Sequence, residues 1–190
     1  TGYVGLVSGT CFADIGNQVY CVDKDKNKID KLNSGISPIY EPGLDELIKK
    51  NYNANRLIFT TDIKKAINSS DLIFICVGTP TKKGSLKVDL SFVYKCSKEI
   101  LKYTKKKKII ITKSTVPVGT GDIIEKIIKK KKKLFSVISN PEFLREGDAI
   151  RDFRYPDRIV IGSDNKNEFK TMKKLYSPLI SKGAKFFTTS

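Results

Sequence analysis

Two closely spaced glycines open the chain, in Thr1-Gly2-Tyr3-Val4-Gly5-Leu6. The run reads as the later part of G-x-G-x-x-G, with the first glycine lying just before Thr1. One glycine of such a turn lets the backbone approach a pyrophosphate, and another lets the following helix pack tightly on its sheet. The helix N-terminus then presents free N–H groups and a partial positive charge to phosphates. An apolar stretch, Val19–Val22, ends at Asp23. Asp23 stands roughly 20 residues beyond the turn, where a carboxylate hydrogen-bonds an adenosine ribose and favours NAD over NADP. The alternative for Asp23 is a turn residue in DKDKNK, and Lys28 either reaches the same ribose or stays solvated.

Three further stretches place polar and turn-forming residues straight after apolar runs. They are Val77-Gly78-Thr79-Pro80, the KSTVPVGT run over 113–120, and the SNPEFLREG run over 139–147. In open α/β sheets ligands bind outside the carboxyl ends of the strands, where loops of this kind lie. Gly78 and Pro80 allow a tight turn against a cofactor. The hydroxyls of Thr79, Ser114 and Thr115 either bond a ligand or water, or close local ST-turns and caps. Glu142 and Glu146 would share a face on a helical turn, an arrangement suited to moving protons. The other reading of that pair is a first-turn cap. Arg145 is expected to pair with one of the two.

These residues must be positioned by alternating elements. Strands are expected at Val19–Val22, Leu57–Thr60, Leu72–Val77, Ile109–Lys113, Phe135–Ser139, Arg158–Gly162 and Lys185–Thr188. Helices are expected at Leu6–Ile15, Lys26–Asn33, Gly43–Lys50, Ile63–Ile67 after the cap Asp62, Phe92–Tyr103 after the cap Ser91, Asp122–Lys132 and Glu168–Leu179. Alternation of this kind predicts an α/β fold, a Rossmann-like doubly wound parallel sheet with helices on both faces. The strand that should precede Gly2 belongs in the centre of such a sheet, between Val19–Val22 and Leu72–Val77. The chain is therefore expected to be a fragment lacking its first strand, unless another segment fills the gap.

Composition narrows the chemistry. There is no histidine, which removes Ser-His-Asp and Cys-His catalysis and most zinc sites; no metal is expected. The four cysteines form no CxxC pair, and Cys21 and Cys76 read as small buried hydrophobes in apolar runs, so a reduced, cytoplasmic protein is expected. The net charge is +16, the chain is rich in Lys throughout, and Lys105–Lys108 and Lys129–Lys133 are its two basic runs. A basic nucleic-acid-binding module is one reading. It is disfavoured, because no aromatics interleave with the lysines, and Lys129–Lys133 closes an amphipathic stretch where cations suit a helix C-terminus. No apolar run approaches the ~18 residues of a membrane span, and no membrane partner is expected.

Taken in order, GYVGL (2–6), PIYEPGL (38–44), VGTPT (77–81), KSTVPVGT (113–120), NPEFLREG (140–147) and PDRIVIG (156–162) resemble the NAD-binding region of the UDP-glucose/GDP-mannose dehydrogenases. The resemblance covers essentially all of residues 1–190, taken as one NAD-binding domain truncated at both ends. It implies oxidation of a nucleotide-sugar C6 alcohol to the carboxylate with two NAD⁺. A cysteine traps the aldehyde as a thiohemiacetal, a second hydride transfer to NAD⁺ gives a thioester, and water hydrolyses it. The wording of PIYEPGL and KSTVPVGT leans toward UDP-glucose as substrate, with GDP-mannose or UDP-N-acetylmannosamine the alternatives.

Carried over by motif, Gly2, Tyr3, Val4 and Gly5 would hold the pyrophosphate, and Asp23 and Lys28 the ribose. Val77, Gly78, Thr79, Pro80, Ser114 and Thr115 would line the cofactor, with Glu146 near the nicotinamide. Thr115 and Glu142 would position and activate the hydrolytic water, and Glu142, Phe143, Leu144, Arg145 and Glu146 would line the sugar-nucleotide site. Whether Glu142 or Glu146 is the principal base stays open, with Glu142 favoured. The family's G-G-S-C-F-x-K-D nucleophile motif does not occur here, nor do its later Lys and Asn or its dimer-forming helix. The resemblance thus implies an inactive fragment of an enzyme that is a homodimer when whole. A nucleotide-binding fold without catalysis is the remaining alternative.

Overall fold

The computed structural model describes residues 1–82, 84–85 and 87–189; Lys83, Leu86, Ser190 and the side chains of Lys129, Lys130 and Lys132 lie outside the described residues. In chain order the elements are α1 (Tyr3–Asp14), β1 (Val19–Val22), α2 (Lys26–Asn33), α3 (Leu44–Asn53), β2 (Leu57–Thr60), α4 (Ile63–Ser69), β3 (Leu72–Ile75), α5 (Ser91–Tyr103) and β4 (Lys108–Thr112). There follow α6 (Thr120–Ile128), a 3-10 segment Lys129–Leu134, β5 (Phe135–Ser139), α7 (Ala149–Arg154), β6 (Arg158–Gly162), α8 (Lys166–Leu175), α9 (Ser177–Ile180) and β7 (Lys185–Thr189). The chain divides into two compact units, one of Thr1–Ala66, Phe143–Arg158 and Ser177–Lys185, the other of Ile67–Glu142, Ile159–Tyr176 and 186–189.

In the first unit β1 and β2 pair in parallel, Val19 with Leu57 through Val22 with Thr60. Helix α1 is buried continuously from Leu6 to Ala13, as a helix enclosed on all sides must be. It lies so close to β1 that a Cβ on Gly9 would stand 2.5 Å from Cys21 Sγ. Phe12 meets Phe153 of α7 edge to face at 4.9 Å. The last turn of α1 is tied down by cations, which suit a helix C-terminus. Arg56 Nε donates to the Ala13 carbonyl at 3.2 Å, while Lys50 and Arg154 hold Asp14 at 2.8 and 2.7 Å.

In the second unit the strand order is β3-β4-β5-β6-β7. Strands β3, β4 and β5 are parallel, with Leu72 opposite Ile109 and Ile109 opposite Ser136. Ile110, Ile111 and Ile138 are fully buried, the mark of strands covered on both faces. The parallel expectation fails at β6, which meets β5 antiparallel through Ser139 and Gly162.

Several boundaries differ from expectation for identifiable reasons. Helix α1 begins at Tyr3 rather than Leu6, so Tyr3, Val4 and Gly5 form its first turn. Strand β3 stops at Ile75, opposite Thr112, the last residue of β4; Cys76 and Val77 lie in loop, outside the strand. Asp62 does cap α4, accepting from the Lys65 amide at 2.9 Å. The cap expected of Ser91 is supplied by Asp89, which accepts from the Ser91 amide at 2.9 Å. The helix expected over 168–179 breaks at Tyr176, two residues before Pro178, which has no N–H to continue it. The lysine run at 129–133 belongs to the 3-10 segment, after α6 has ended at Ile128. Among the described residues no helix is long and apolar enough to cross a membrane.

Candidate functional site

Gly2 is the N-cap of α1 and makes no side-chain cap bond, while its carbonyl accepts from the Leu6 amide at 2.8 Å. The amides of Tyr3, Val4 and Gly5 are thus first-turn donors that the helix itself cannot satisfy. A Cβ on Gly2 would meet nothing within 4 Å, so there is open space beside the turn. At the end of β1, Asp23 accepts from the Thr1 hydroxyl at 2.8 Å and the Asp25 amide at 3.1 Å, and pairs with Lys28 Nζ at 3.2 Å. Burial acts to raise the Asp23 carboxyl, but the hydrogen bonds from the Asp25 amide and the Thr1 hydroxyl act against it, and the carboxyl lies well below the usual carboxylate range. Asp23 and Lys28 are therefore brought together, an anionic acceptor with a cation beside it.

The same unit holds a residue that sequence reasoning missed. Glu41, in PIYEPGL, is 5% exposed. Its carboxylate accepts from the amides of Gly147, Ala149 and Ile150 at 2.9, 2.8 and 3.4 Å, and from the Tyr3 hydroxyl. Burial first, then the bond to Glu41, pushes the Tyr3 phenol up to about 12. The only sequence signal was an acid in a quoted motif, and burial of that acid is a tertiary property.

The 140–148 segment is not helical, and Gly147 sits at φ 88°, in the left-handed region that ends any helical run. Glu142 and Glu146 therefore do not share a helical face, contrary to expectation, and neither lies in the first turn of a helix. Arg145 pairs with neither of them. Its guanidinium grips Asp152 through Nε and Nη2 at 3.0 and 2.6 Å and reaches Asp148 at 3.1 Å. That fork on a carboxylate holds Asp152 below its ordinary value. Phe143 is 48% exposed and carries the Arg158 guanidinium 4.6 Å over its ring. Leu144 is half-buried and Glu146 exposed.

The second unit gathers the strand-end residues. The Ser114 hydroxyl donates to the Val77 carbonyl at 2.7 Å, and the Thr79 hydroxyl to the Thr115 carbonyl at 2.9 Å. Both bonds staple the loop after β3 to the loop after β4, so these hydroxyls first serve to shape the loops. Gly78, Pro80 and Thr115 are exposed. Asn140 is fixed from three sides: its amide donates to Thr112, its Nδ2 to the Val160 carbonyl, and its Oδ1 accepts from Tyr176 at 2.6 Å. This anchors the segment that leads to Glu142.

Beneath it lies Lys113, only 5% exposed, whose ammonium burial pushes its pKa down while Cys76 and Glu142 act in the opposite sense. Sequence reading treated Lys113 as the end of a strand and gave it no role. Burial raises the thiols of Cys11 and Cys96 to about 12 and of Cys76 to about 11, far from the thiolate that a nucleophile needs.

With that geometry in hand, comparisons with known proteins are informative. Residues 1–180 match the UDP-glucose/GDP-mannose dehydrogenase family, NAD binding domain. The chain is 51% identical over 193 residues to a UDP-glucose 6-dehydrogenase of Rhizobium meliloti (strain 1021), covering 99% of this chain and 44% of that protein. It is 50% identical over 181 residues to the UDP-glucose 6-dehydrogenase TuaD of Bacillus subtilis (strain 168), covering 94% of this chain and 39% of that protein. The chain thus spans less than half the length of these curated relatives. Among solved structures it superposes on a GDP-mannose dehydrogenase from Pseudomonas aeruginosa, in a ternary complex, with a TM-score of 0.93 and 36% identity, over 100% of this chain and 44% of that one. From residue 1 to residue 180, then, the chain belongs to the UDP-glucose/GDP-mannose dehydrogenase family, in the part that is its NAD binding domain.

Proposed function

We propose that residues 1–190 form the NAD-binding domain of an enzyme that oxidises the C6 alcohol of UDP-glucose to the carboxylate. The observation that carries the cofactor half is the pairing of an open glycine turn with the Asp23 carboxylate at the end of β1. The free amides of Tyr3, Val4 and Gly5 fit a pyrophosphate, and Asp23, with Lys28 beside it, fits the adenosine ribose hydroxyls. Asp23 would also repel a ribose phosphate, which matches NAD rather than NADP. Val77 to Pro80, Ser114 and Thr115 complete the cofactor set.

When bound, NAD⁺ accepts the hydride in each of two oxidation steps. The chain's own residues supply the rest of the work assigned to them. Thr115 and Glu142 hold and deprotonate the water that ends the reaction. Phe143 to Glu146 meet the nucleotide sugar, and Arg145 is preset by Asp152. None of the four cysteines is the nucleophile, which the family carries further along its chain.

The choice of UDP-glucose rests on the identity of about half to UDP-glucose 6-dehydrogenases. GDP-mannose is the second reading, favoured by the structural likeness to a GDP-mannose dehydrogenase at lower identity. In the whole protein we expect a homodimer, formed outside this chain. Four free cysteines suit a reducing cytoplasm. The test uses the complete reading frame. Two NADH formed per UDP-glucose consumed establishes the four-electron oxidation; one means that oxidation stops at the aldehyde. Reduction only with GDP-mannose moves the assignment to that substrate.

A further inference from the structure

Glu41 belongs to PIYEPGL, a run that neither the glycine turn nor the strand-end loops explain. Burying a carboxylate is costly unless hydrogen bonds replace its water. Here four donors replace it, and they come from two places. Oε1 accepts from the amides of Ala149 and Ile150, and Oε2 from the amide of Gly147, all following the Phe143–Glu146 stretch. The fourth donor is the hydroxyl of Tyr3, a residue of the glycine turn. Tyr3 Oη in turn accepts from the Gly147 amide at 3.0 Å. Glu41, Tyr3 and Gly147 therefore close a ring of hydrogen bonds, and whatever orders Tyr3 orders Gly147 as well. Gly147 is in the left-handed region, so its amide direction is set by the loop and is lost if the loop relaxes.

We propose that Glu41 is a positioning residue through which a dinucleotide bound at the Gly2–Gly5 turn orders the 143–150 loop, making cofactor and nucleotide-sugar binding cooperative. The proposal rests on the reading of this chain as the NAD-binding part of a nucleotide-sugar dehydrogenase. By linkage, the sugar nucleotide must tighten the cofactor by the same factor that the cofactor tightens it. A carboxylate that merely braced the fold would weaken both ligands alike and leave that factor unchanged.

The experiment uses the complete protein, with NADH alone as the probe. Hydrogen exchange of the backbone amides over 143–154 is followed with and without saturating NADH, and NADH affinity is read by its fluorescence. Three proteins are compared: the wild type, Glu41→Gln and Tyr3→Phe. The phenylalanine variant keeps all three backbone donors on Glu41, so it decides the matter if Glu41→Gln does not fold. NADH should slow exchange of the segment about tenfold in the wild type and less than about twofold in the variants, each measured at its own saturating concentration. Variants that bind NADH and keep the wild-type protection overturn the proposal, as does a wild type that binds NADH without protecting the loop. In both cases the cofactor reading survives. A wild type that binds no NADH overturns that reading and the proposal together.

Discussion

A Cβ placed on Gly9 would lie 2.5 Å from the Sγ of Cys21, closer than any real side chain tolerates. The glycine that lets the dinucleotide helix lie against its sheet is thus Gly9, one turn beyond the glycines that the motif displays. Alanine at this helical position would gain about 1 kcal/mol in propensity, but overpacking a buried contact costs about 1–3 kcal/mol. Gly9→Ala should therefore lower the melting temperature by a few degrees, and Cys21→Ala should restore it. Additive effects of the two substitutions in a thermal melt would show that α1 does not depend on this contact.

Asp23 and Lys28 make an exchangeable pair. A ribose whose hydroxyls donate to Asp23 competes with the Lys28 ammonium, now at 3.2 Å, and frees it toward the ligand. Asp23→Ala should weaken NADH binding about tenfold to a hundredfold, the worth of a hydrogen bond to a charged group. NADPH should lose far less, because the variant removes a repulsion and leaves Lys28 free for the extra phosphate. Titration of both dinucleotides by fluorescence checks this; an equal loss for the two would remove Asp23 from the ribose site.

How far the sequence was readable follows from which features are local. LIFICV announces a strand buried on both faces, yet its last two residues leave the ladder. The partner strand β4 ends at Thr112, opposite Ile75, and apolarity cannot reveal where a partner strand stops. The spacing of Glu142 and Glu146 implied a shared face only if the segment were helical, and Gly147 removes that condition. Arg145 finds its partner seven residues on, at Asp152, because the loop folds back onto α7. The glycine turn and Asp23 were legible because each sits beside a strand or helix end whose position is fixed by local pattern. Glu41 and Lys113 were not, because nothing in a sequence marks a charged side chain as buried.

Asp14 gives the first unit a measurable acid sensitivity. Burial would raise its carboxyl, but Lys50, Arg154 and Asn51 together bring it from an ordinary 3.8 down to about 2. A carboxylate lowered by folding stabilises the native state above its unfolded value, and that contribution is lost as pH falls through the folded one. Asp14→Asn should therefore cost about 1 kcal/mol near neutral pH, with allowance for the partly exposed partners. The gap between variant and wild type should close between about pH 4 and about pH 2. Urea melts across that range provide the check, and a gap independent of pH would mean that packing, not charge, is what Asp14 contributes.

Lys113 sets stability against function. Its ammonium is almost wholly buried, and the cost of that burial is what depresses its pKa, while Glu142 and Cys76 favour the charge. A methionine has nearly the same length and no charge to desolvate. Replacing a buried ion pair by apolar side chains of similar volume is often neutral or stabilising by about 1–4 kcal/mol, and removing one partner is costly only where the other charge stays buried. Lys113→Met should thus melt at or above the wild-type temperature, since half-buried Glu142 keeps contact with water. Turnover should fall nonetheless, because Glu142 loses the cation that its negative charge faces. The fall should appear in the steady state and not in the first burst of NADH, since the proposed work of Glu142 is on the final water. A variant that melts lower and turns over normally would reverse both halves of the argument and make Lys113 a strut of the strand end.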